Sequence, residues 1–155
     1  SQPLDLQDVD LRSVVREVLE RQAPQIAAAG LTLAEHGDRA VPCRCDPLLV
    51  SQALENLVDN SVRFAPVGGR LEVTAHLGDG VCRLVVHDDG PGIPVEERAK
   101  VFEPFYRGST PGSQTGLGLA FVADVARRHG GRATLIPSVE GTTIGLEFPA
   151  RRRVD

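Results

Sequence analysis

No apolar run approaches the roughly 18 residues that a membrane-spanning helix needs, and a composition of 41% hydrophobic and 25% charged residues predicts a soluble globular chain. Methionine is absent, and no signal peptide or lipidation motif is present, so Ser1 is expected to be an internal residue of a longer protein. Cysteine is scarce. Cys43, Cys45 and Cys82 are too few and wrongly spaced for a zinc cage, and their strand-like surroundings predict buried small hydrophobes in a reducing compartment rather than a disulfide. A formal charge of −4 argues against a generally basic nucleic-acid surface. Lysine is nearly missing, Lys100 standing alone among arginines, and this carries no functional implication. Neither an internal repeat nor an extended low-complexity segment is visible.

What is present fits one domain: 155 residues bury one real core but not two sizeable ones. The expected boundaries are a single domain over 1–150 and a basic tail over 151–155 that carries Arg151 to Arg153. Leu11, Val14, Val15, Val18 and Leu19 fall at helical spacing behind Asp10 as N-cap, with Pro24 expected to kink or restart the helix and Gly30 to end it. Short apolar segments over 31–34 and 40–43 read as a hairpin. Asp46 followed by Pro47 opens the strongest helix, which runs to about Phe64 before Pro66 and Gly68-Gly69 stop it. Strands over 70–77 and 81–88 should pair through a tight turn at Gly78-Asp79-Gly80. A short helix is expected around 95–101, a mobile Gly, Ser, Thr and Pro-rich stretch over 107–115, and a helix over 117–128 ended by His129-Gly130-Gly131. Strands over 132–136 and 142–148 complete the sheet.

The chemistry begins at Asp88-Asp89-Gly90-Pro91-Gly92, where an apolar strand ends in an acidic residue and two glycines. An exposed carboxylate accepts a hydrogen bond from an exocyclic amine such as adenine's, and glycines let the backbone turn sharply against a planar ring. On its own the stretch is equally an ordinary surface turn. In the Asp46 helix, Asn56, Asn60 and Arg63 recur at i, i+4 and i+7, putting amide oxygens and a cation on one face. Neutral oxygen ligands suit Mg²⁺ where a nucleotide already supplies negative charge, and an arginine there would meet phosphates; alternatively the row is a solvated polar face. Gly116-Leu117-Gly118-Leu119 opens the next long helix, whose free N-terminal amides favour an anion, unless the glycines simply mark a linker entering it. The P-loop pattern is missing, and Gly116 and Gly118 lack the third glycine of the dinucleotide fingerprint. Another nucleotide fold is required.

The order of these motifs resembles the ATP-binding catalytic domain of bacterial sensor histidine kinases, a branch of the superfamily that includes gyrase, Hsp90 and MutL ATPases. The resemblance spans nearly the whole chain. Residues 55–64 look like the N box, Asp88 to Pro94 the first glycine box, Val101 to Arg107 the F box and Thr115 to Leu119 the second glycine box, with Gly141-Thr142-Thr143 fitting the last turn. Departures are small: Arg63, Phe64 and Ser61 stand where lysine, tyrosine or histidine, and alanine are usual, and Ser113-Gln114 where a further glycine is often found. Arginine keeps the charge of lysine but alters the geometry of phosphate contact.

The resemblance implies a two-layer α/β sandwich of the Bergerat type, with a mixed, mainly antiparallel sheet covered on one face by three main helices. By it, Asp88 accepts the adenine amino group with Thr142 nearby, Gly92 and Ile93 line the base, and Gly90 counts among the nucleotide-binding residues. Asn56 and Asn60 hold Mg²⁺ and the phosphates of ATP, with Asn60 the direct metal contact. Arg63 and Arg107 meet phosphates, Tyr106 flanks the nucleotide, Phe64 counts among the nucleotide-binding residues, and residues 108–115 form a lid. Backbone amides of Gly116, Leu117 and Gly118 close on the phosphates, with Thr115 and Leu119 beside them. His36, His76, His87 and His129 lack the sequence surroundings of a phospho-acceptor, so the acceptor histidine is expected in a separate dimerisation domain and autophosphorylation by this chain alone is not. Glu55 receives no catalytic role. The resemblance further implies a response regulator downstream, a cytoplasmic location within a bacterial inner-membrane protein, no direct membrane contact, a monomeric fragment and a homodimeric intact kinase. An anti-sigma-factor serine kinase and a non-catalytic nucleotide-sensing module remain alternatives.

Overall fold

A computed structural model describes residues 2–106 and 116–151. Strand β1 (Gln7–Asp10) leads directly into helix α1 (Leu11–Ala28), where Asp10 is the cap: its backbone is extended and its carboxylate accepts from the Arg12 amide at 3.0 Å. α1 is one continuous helix, so Pro24 does not restart it; the proline lies on the exposed side. After Gly30 come β2 (Thr32–Gly37) and β3 (Pro42–Cys45), then α2 (Pro47–Phe64). Asp46 caps α2 by accepting from the Leu49 amide at 3.1 Å, with Pro47 in the first turn, as their order predicts. Strands β4 (Arg70–Gly78) and β5 (Val81–Asp88) follow, then a 3₁₀ turn (Val95–Glu97), α3 (Gly116–Arg128), β6 (Arg132–Leu135) and β7 (Thr142–Pro149).

Five strands form one sheet in the order β2-β4-β5-β7-β6, with β2 parallel to β4 and the other pairs antiparallel. β4 and β5 join through a two-residue turn in which Asp79 and Gly80 both have positive φ, the primed geometry that matches strand twist. Alternation decides the faces: Leu71, Val73, Ala75, Cys82, Leu84, Val86, Ile144, Leu146 and Phe148 are buried beneath the helices. The helices bring Val14, Val18, Leu54, Leu57, Val122 and Val125 to meet them, giving a two-layer α/β sandwich. Cys43, Cys45 and Cys82 are buried and unbridged, as expected of small core hydrophobes.

Two local expectations are corrected. The hairpin over 31–34 and 40–43 does not form: β2 pairs with β4, while β3 pairs with β1 in a separate two-stranded sheet. The chain leaves β2 at Gly37, where φ is +111°, and Asp38 is captured by β4: its amide donates to Ala75 O at 2.9 Å and its carboxylate accepts from the Leu77 amide at 2.7 Å. The helix expected around 95–101 is only the 3₁₀ turn followed by further turns, closed by bonds from Glu97 to Pro94, Lys100 to Glu97 and Glu103 to Lys100. Each spans three residues, so no α-helical ladder is established before Pro104.

His129 is buried at the end of α3 and is more than a helix-end residue. Its Nε2 accepts from the Asp46 amide at 3.0 Å and its Nδ1 lies 2.8 Å from Val125 O, so the neutral ring fastens the end of α3 to the start of α2. With α2 and α3 fixed together there, their other ends meet at the candidate site.

Candidate functional site

The core-facing residues of β5, Cys82, Leu84 and Val86, are apolar until the last, which is a carboxylate: Asp88 is only 7% exposed. A buried carboxylate requires donors. Asp88 Oδ1 accepts from the Gly90 amide at 2.8 Å and Oδ2 from the Ser61 hydroxyl at 2.7 Å, so the turn after β5 and the last part of α2 converge on it. Gly92, at φ +78°, brings the next part of the turn against the neck of β7, where a Cβ would come within 3.1 Å of Gly141 O. Gly141 is tighter still, since a Cβ there would meet Asp88 O at 1.9 Å. These glycines let three backbone segments close around the carboxylate.

Asp88 lies in a pocket whose walls are mainly apolar. Leu57, Phe64, Val86, Ile93, Val101, Leu119 and Ile144 supply the surface, and Asn60, Ser61, Asp88, Glu97, Tyr106 and Thr142 the polar points. A largely apolar slot with a few fixed polar groups suits a planar ring carrying a hydrogen-bonding edge. Among the residues expected from sequence, Asn60, Phe64, Asp88, Gly92, Ile93, Tyr106, Leu119 and Thr142 line it together. Gly90 serves through its amide.

The phosphate-side residues lie at the meeting of α2 and α3. Asn56 Nδ2 donates to Gly118 O at 3.5 Å, and a Cβ on Gly118 would sit 4.0 Å from both Asn56 Cβ and Asn60 Nδ2. Asn60 Nδ2 is buried without a hydrogen-bond partner among the described residues. Since the two ends of an amide are interchangeable in assignment, either a donor or an acceptor can be presented at that point. Arg63 lies on the exposed end of α2, its guanidinium 5.9 Å from the Phe64 ring centroid. Gly116 and Leu117 open α3, while Arg107 and Thr115, with the expected lid, lie outside the described residues.

Sequence reasoning missed Ser61 as a partner of Asp88 and Glu97 as a pocket residue. Tyr106 Oη donates to Glu97 Oε1 at 2.7 Å. Burial first, and then that bond, push the Tyr106 phenol up to about 12, so it remains a donor at neutral pH. Glu55 pairs with Arg21 of α1, which gives it a structural partner and no part in the pocket. Asp59 is raised from its ordinary value, chiefly by burial and then by Glu55, and accepts from Gln22 Nε2 at 2.8 Å.

Asp89 points to the opposite side of the sheet from Asp88. Arg70 holds it bidentately, with Nε to Oδ2 at 3.1 Å and Nη2 to Oδ1 at 3.2 Å, and the Arg70 amide adds a bond at 2.8 Å. The Arg70 side chain, then its amide, hold the Asp89 carboxyl down at about 2. A depressed carboxylate stabilises the fold fully above its unfolded value near 4 and loses that contribution as pH falls through about 2. Urea denaturation of Asp89→Asn should therefore show a deficit against the parent at pH 7 that narrows between pH 4 and pH 2. A deficit independent of pH would contradict the ion-pair account.

The chain matches the family described as histidine kinase-, DNA gyrase B-, and HSP90-like ATPase over residues 45–152. It is 39% identical over 153 residues to the signal transduction histidine-protein kinase/phosphatase MprB of Mycobacterium leprae, covering 96% of this chain but 27% of that relative's length. A solved mycobacterial sensor histidine kinase MprB superposes with a TM-score of 0.80 at 33% identity, covering 95% of this chain and 100% of that one. The catalytic domain of histidine kinase ThkA superposes with a TM-score of 0.86 at 26% identity, covering 95% and 97%. With the N box, both glycine boxes and the sandwich in one chain, the protein belongs to the histidine kinase-, gyrase B- and HSP90-like ATPases as a catalytic domain of the sensor histidine kinase type.

Proposed function

We propose that this domain binds Mg·ATP and delivers the γ-phosphoryl group to a histidine on a separate helical dimerisation domain of the same protein. The observation that carries the reading is the buried Asp88 carboxylate at the polar end of an apolar slot, with Asn60 Nδ2, which has no hydrogen-bond partner among the described residues, at the side facing α3. Asp88 accepts the adenine amine, Ile93 and Phe64 line the slot that takes the ring, and Thr142 stands beside Asp88, with which it pairs across β5 and β7. Asn56, Asn60 and Arg63 face the phosphates, with the first amides of α3 closing on them.

The amide chemistry of Asn56 and Asn60 fits a hard divalent cation whose charge is balanced by phosphate. Bound there, Mg²⁺ would neutralise developing phosphate charge. The protein's own part is to orient the nucleotide, exclude water from the base and present the γ-phosphate, since phosphoryl transfer depends mostly on positioning and charge stabilisation. The base that accepts the histidine proton belongs to the other domain. In this reading a response regulator acts downstream, the isolated chain is monomeric, and the longer protein is a homodimer whose cytoplasmic side carries this domain. Among the described residues no helix is long and apolar enough to cross a membrane.

Mixing the chain with the histidine-bearing segment of its own protein and γ-labelled ATP tests this directly. Acid-labile, alkali-stable label on that segment, abolished by chelating the metal, is the expected result. ATP binding without transfer would replace the kinase reading with a nucleotide-sensing one, and no ATP binding would overturn both.

A further inference from the structure

Tyr106 enters the wall of the slot through a strained turn. Pro104 and Phe105 form its centre, the Tyr106 amide closes it on Glu103 O at 3.3 Å, and Phe105 has φ +65°, where such a turn favours glycine. That left-handed backbone is unfavourable for an aromatic residue, and it throws Phe105 outward, 79% exposed, while Tyr106 turns inward against the core and the slot. Such strain persists only where the flanking chain is held. Tyr106 is held by the packing of its ring and by its hydroxyl, which donates to Glu97 Oε1 at 2.7 Å. Glu97 is itself fixed. It ends the 3₁₀ turn, its amide donates to Pro94 O at 2.9 Å, its carbonyl accepts from the Lys100 amide at 3.0 Å, and Val101, 1% exposed, roots the same stretch in the core.

We propose that Glu97 is a positioning residue for the nucleotide: by accepting from the Tyr106 hydroxyl it holds that ring in the wall of the slot before a ligand arrives. Both residues line the slot together with Ile93 and Phe64. Without the bond, the turn at Phe105 relaxes and the Tyr106 ring regains rotamers that point away from the slot, and that freedom has to be lost again on binding. Glu97 acts through Tyr106 and not by contact with the ligand, which separates it from the residues that meet the nucleotide. On the nucleotide reading of the slot, on which this rests, the effect falls on the base end, so adenosine shows it without any phosphate.

Adenosine carries no charge to sense the loss of a carboxylate, so its affinity isolates the positioning effect. It is titrated calorimetrically into the parent chain, Glu97→Ala, Glu97→Gln, Tyr106→Phe and the Glu97→Ala/Tyr106→Phe double variant, with thermal melts of each. Glu97→Ala and Tyr106→Phe should each bind adenosine about fivefold more weakly, the double variant no more weakly than either, and Glu97→Gln, which keeps an oxygen for the phenol, should recover most of the loss. Losses that multiply in the double variant, parent affinity in both single variants, or a Glu97→Gln protein as weak as Glu97→Ala would overturn the inference and leave the nucleotide reading intact; a lowered melting temperature at parent affinity is the purely structural outcome. If Glu97→Ala does not fold, Tyr106→Phe, which keeps the ring, decides alone: weakening sustains the inference and parent affinity overturns it. A parent chain that binds neither adenosine nor Mg·ATP would overturn the nucleotide reading and the inference with it.

Discussion

Asp88→Asn should abolish ATP binding at concentrations that saturate the parent chain, while circular dichroism and the melting transition show a folded domain. The size follows from the two bonds already made to this carboxylate. Oδ1 accepts from the Gly90 amide and Oδ2 from the Ser61 hydroxyl. An asparagine keeps one oxygen, and the Gly90 amide, which cannot rotate its proton away, claims it. The amide nitrogen then faces Ser61, whose hydroxyl can turn toward Leu57 O at 3.3 Å and accept. The fold is thereby satisfied, but the pocket now opposes the base's amine with a donor. Loss of a charge-assisted bond combined with a donor facing a donor costs roughly 3 to 4 kcal/mol, or about 100-fold to 1,000-fold in affinity. Calorimetric titration with Mg·ATP measures it. Retention of affinity within a few fold of the parent would mean that the adenine edge lies elsewhere.

Much of the scaffold was legible because its signals are local. Asp46-Pro47 at one end and Pro66 with Gly68-Gly69 beyond the other bracket α2, and the Asp79-Gly80 turn fixes the β4–β5 hairpin. Asp88, Gly92, Ile93 and Thr142 could be named because they belong to short motifs at ordered positions. The misread parts depend on partners far along the chain. β2 is short like any hairpin strand, and nothing within it announces that α2 will cross over and return β4 parallel beside it. β1 has only 4 residues, two of them aspartates, and becomes a strand only because β3 pairs with it. Ser61 and His129 escaped for the same reason. Each is a single polar residue whose burial is explained by an acceptor or donor 27 and 83 positions away, respectively. Periodicity identifies which face is buried; it does not identify which polar residue on that face has found a partner.

Asn60→Ala should separate the two ends of the site. Its side chain lines the pocket but leaves Asp88 untouched, and its Nδ2 has no partner among the described residues. Truncation to alanine therefore breaks no described bond of that nitrogen and favours the helix. What it removes is the amide that faces the N-terminus of α3, within reach of Gly118 and one turn from Asn56. If the base is held by Asp88 and the phosphates by this amide, the variant should still bind adenosine as the parent does, while Mg²⁺ no longer tightens ATP binding. Phosphoryl transfer to the histidine-bearing segment should fall about 100-fold to 1,000-fold, the usual loss when one preorganised polar group at the charge-bearing end of a site is deleted. Parallel titrations with adenosine, ATP and Mg·ATP, with single-turnover transfer measured on the same preparations, give the three numbers needed. Equal losses for adenosine and Mg·ATP would mean that Asn60 shapes the base pocket rather than the phosphate end, and transfer at the parent's rate would remove it from the chemistry altogether.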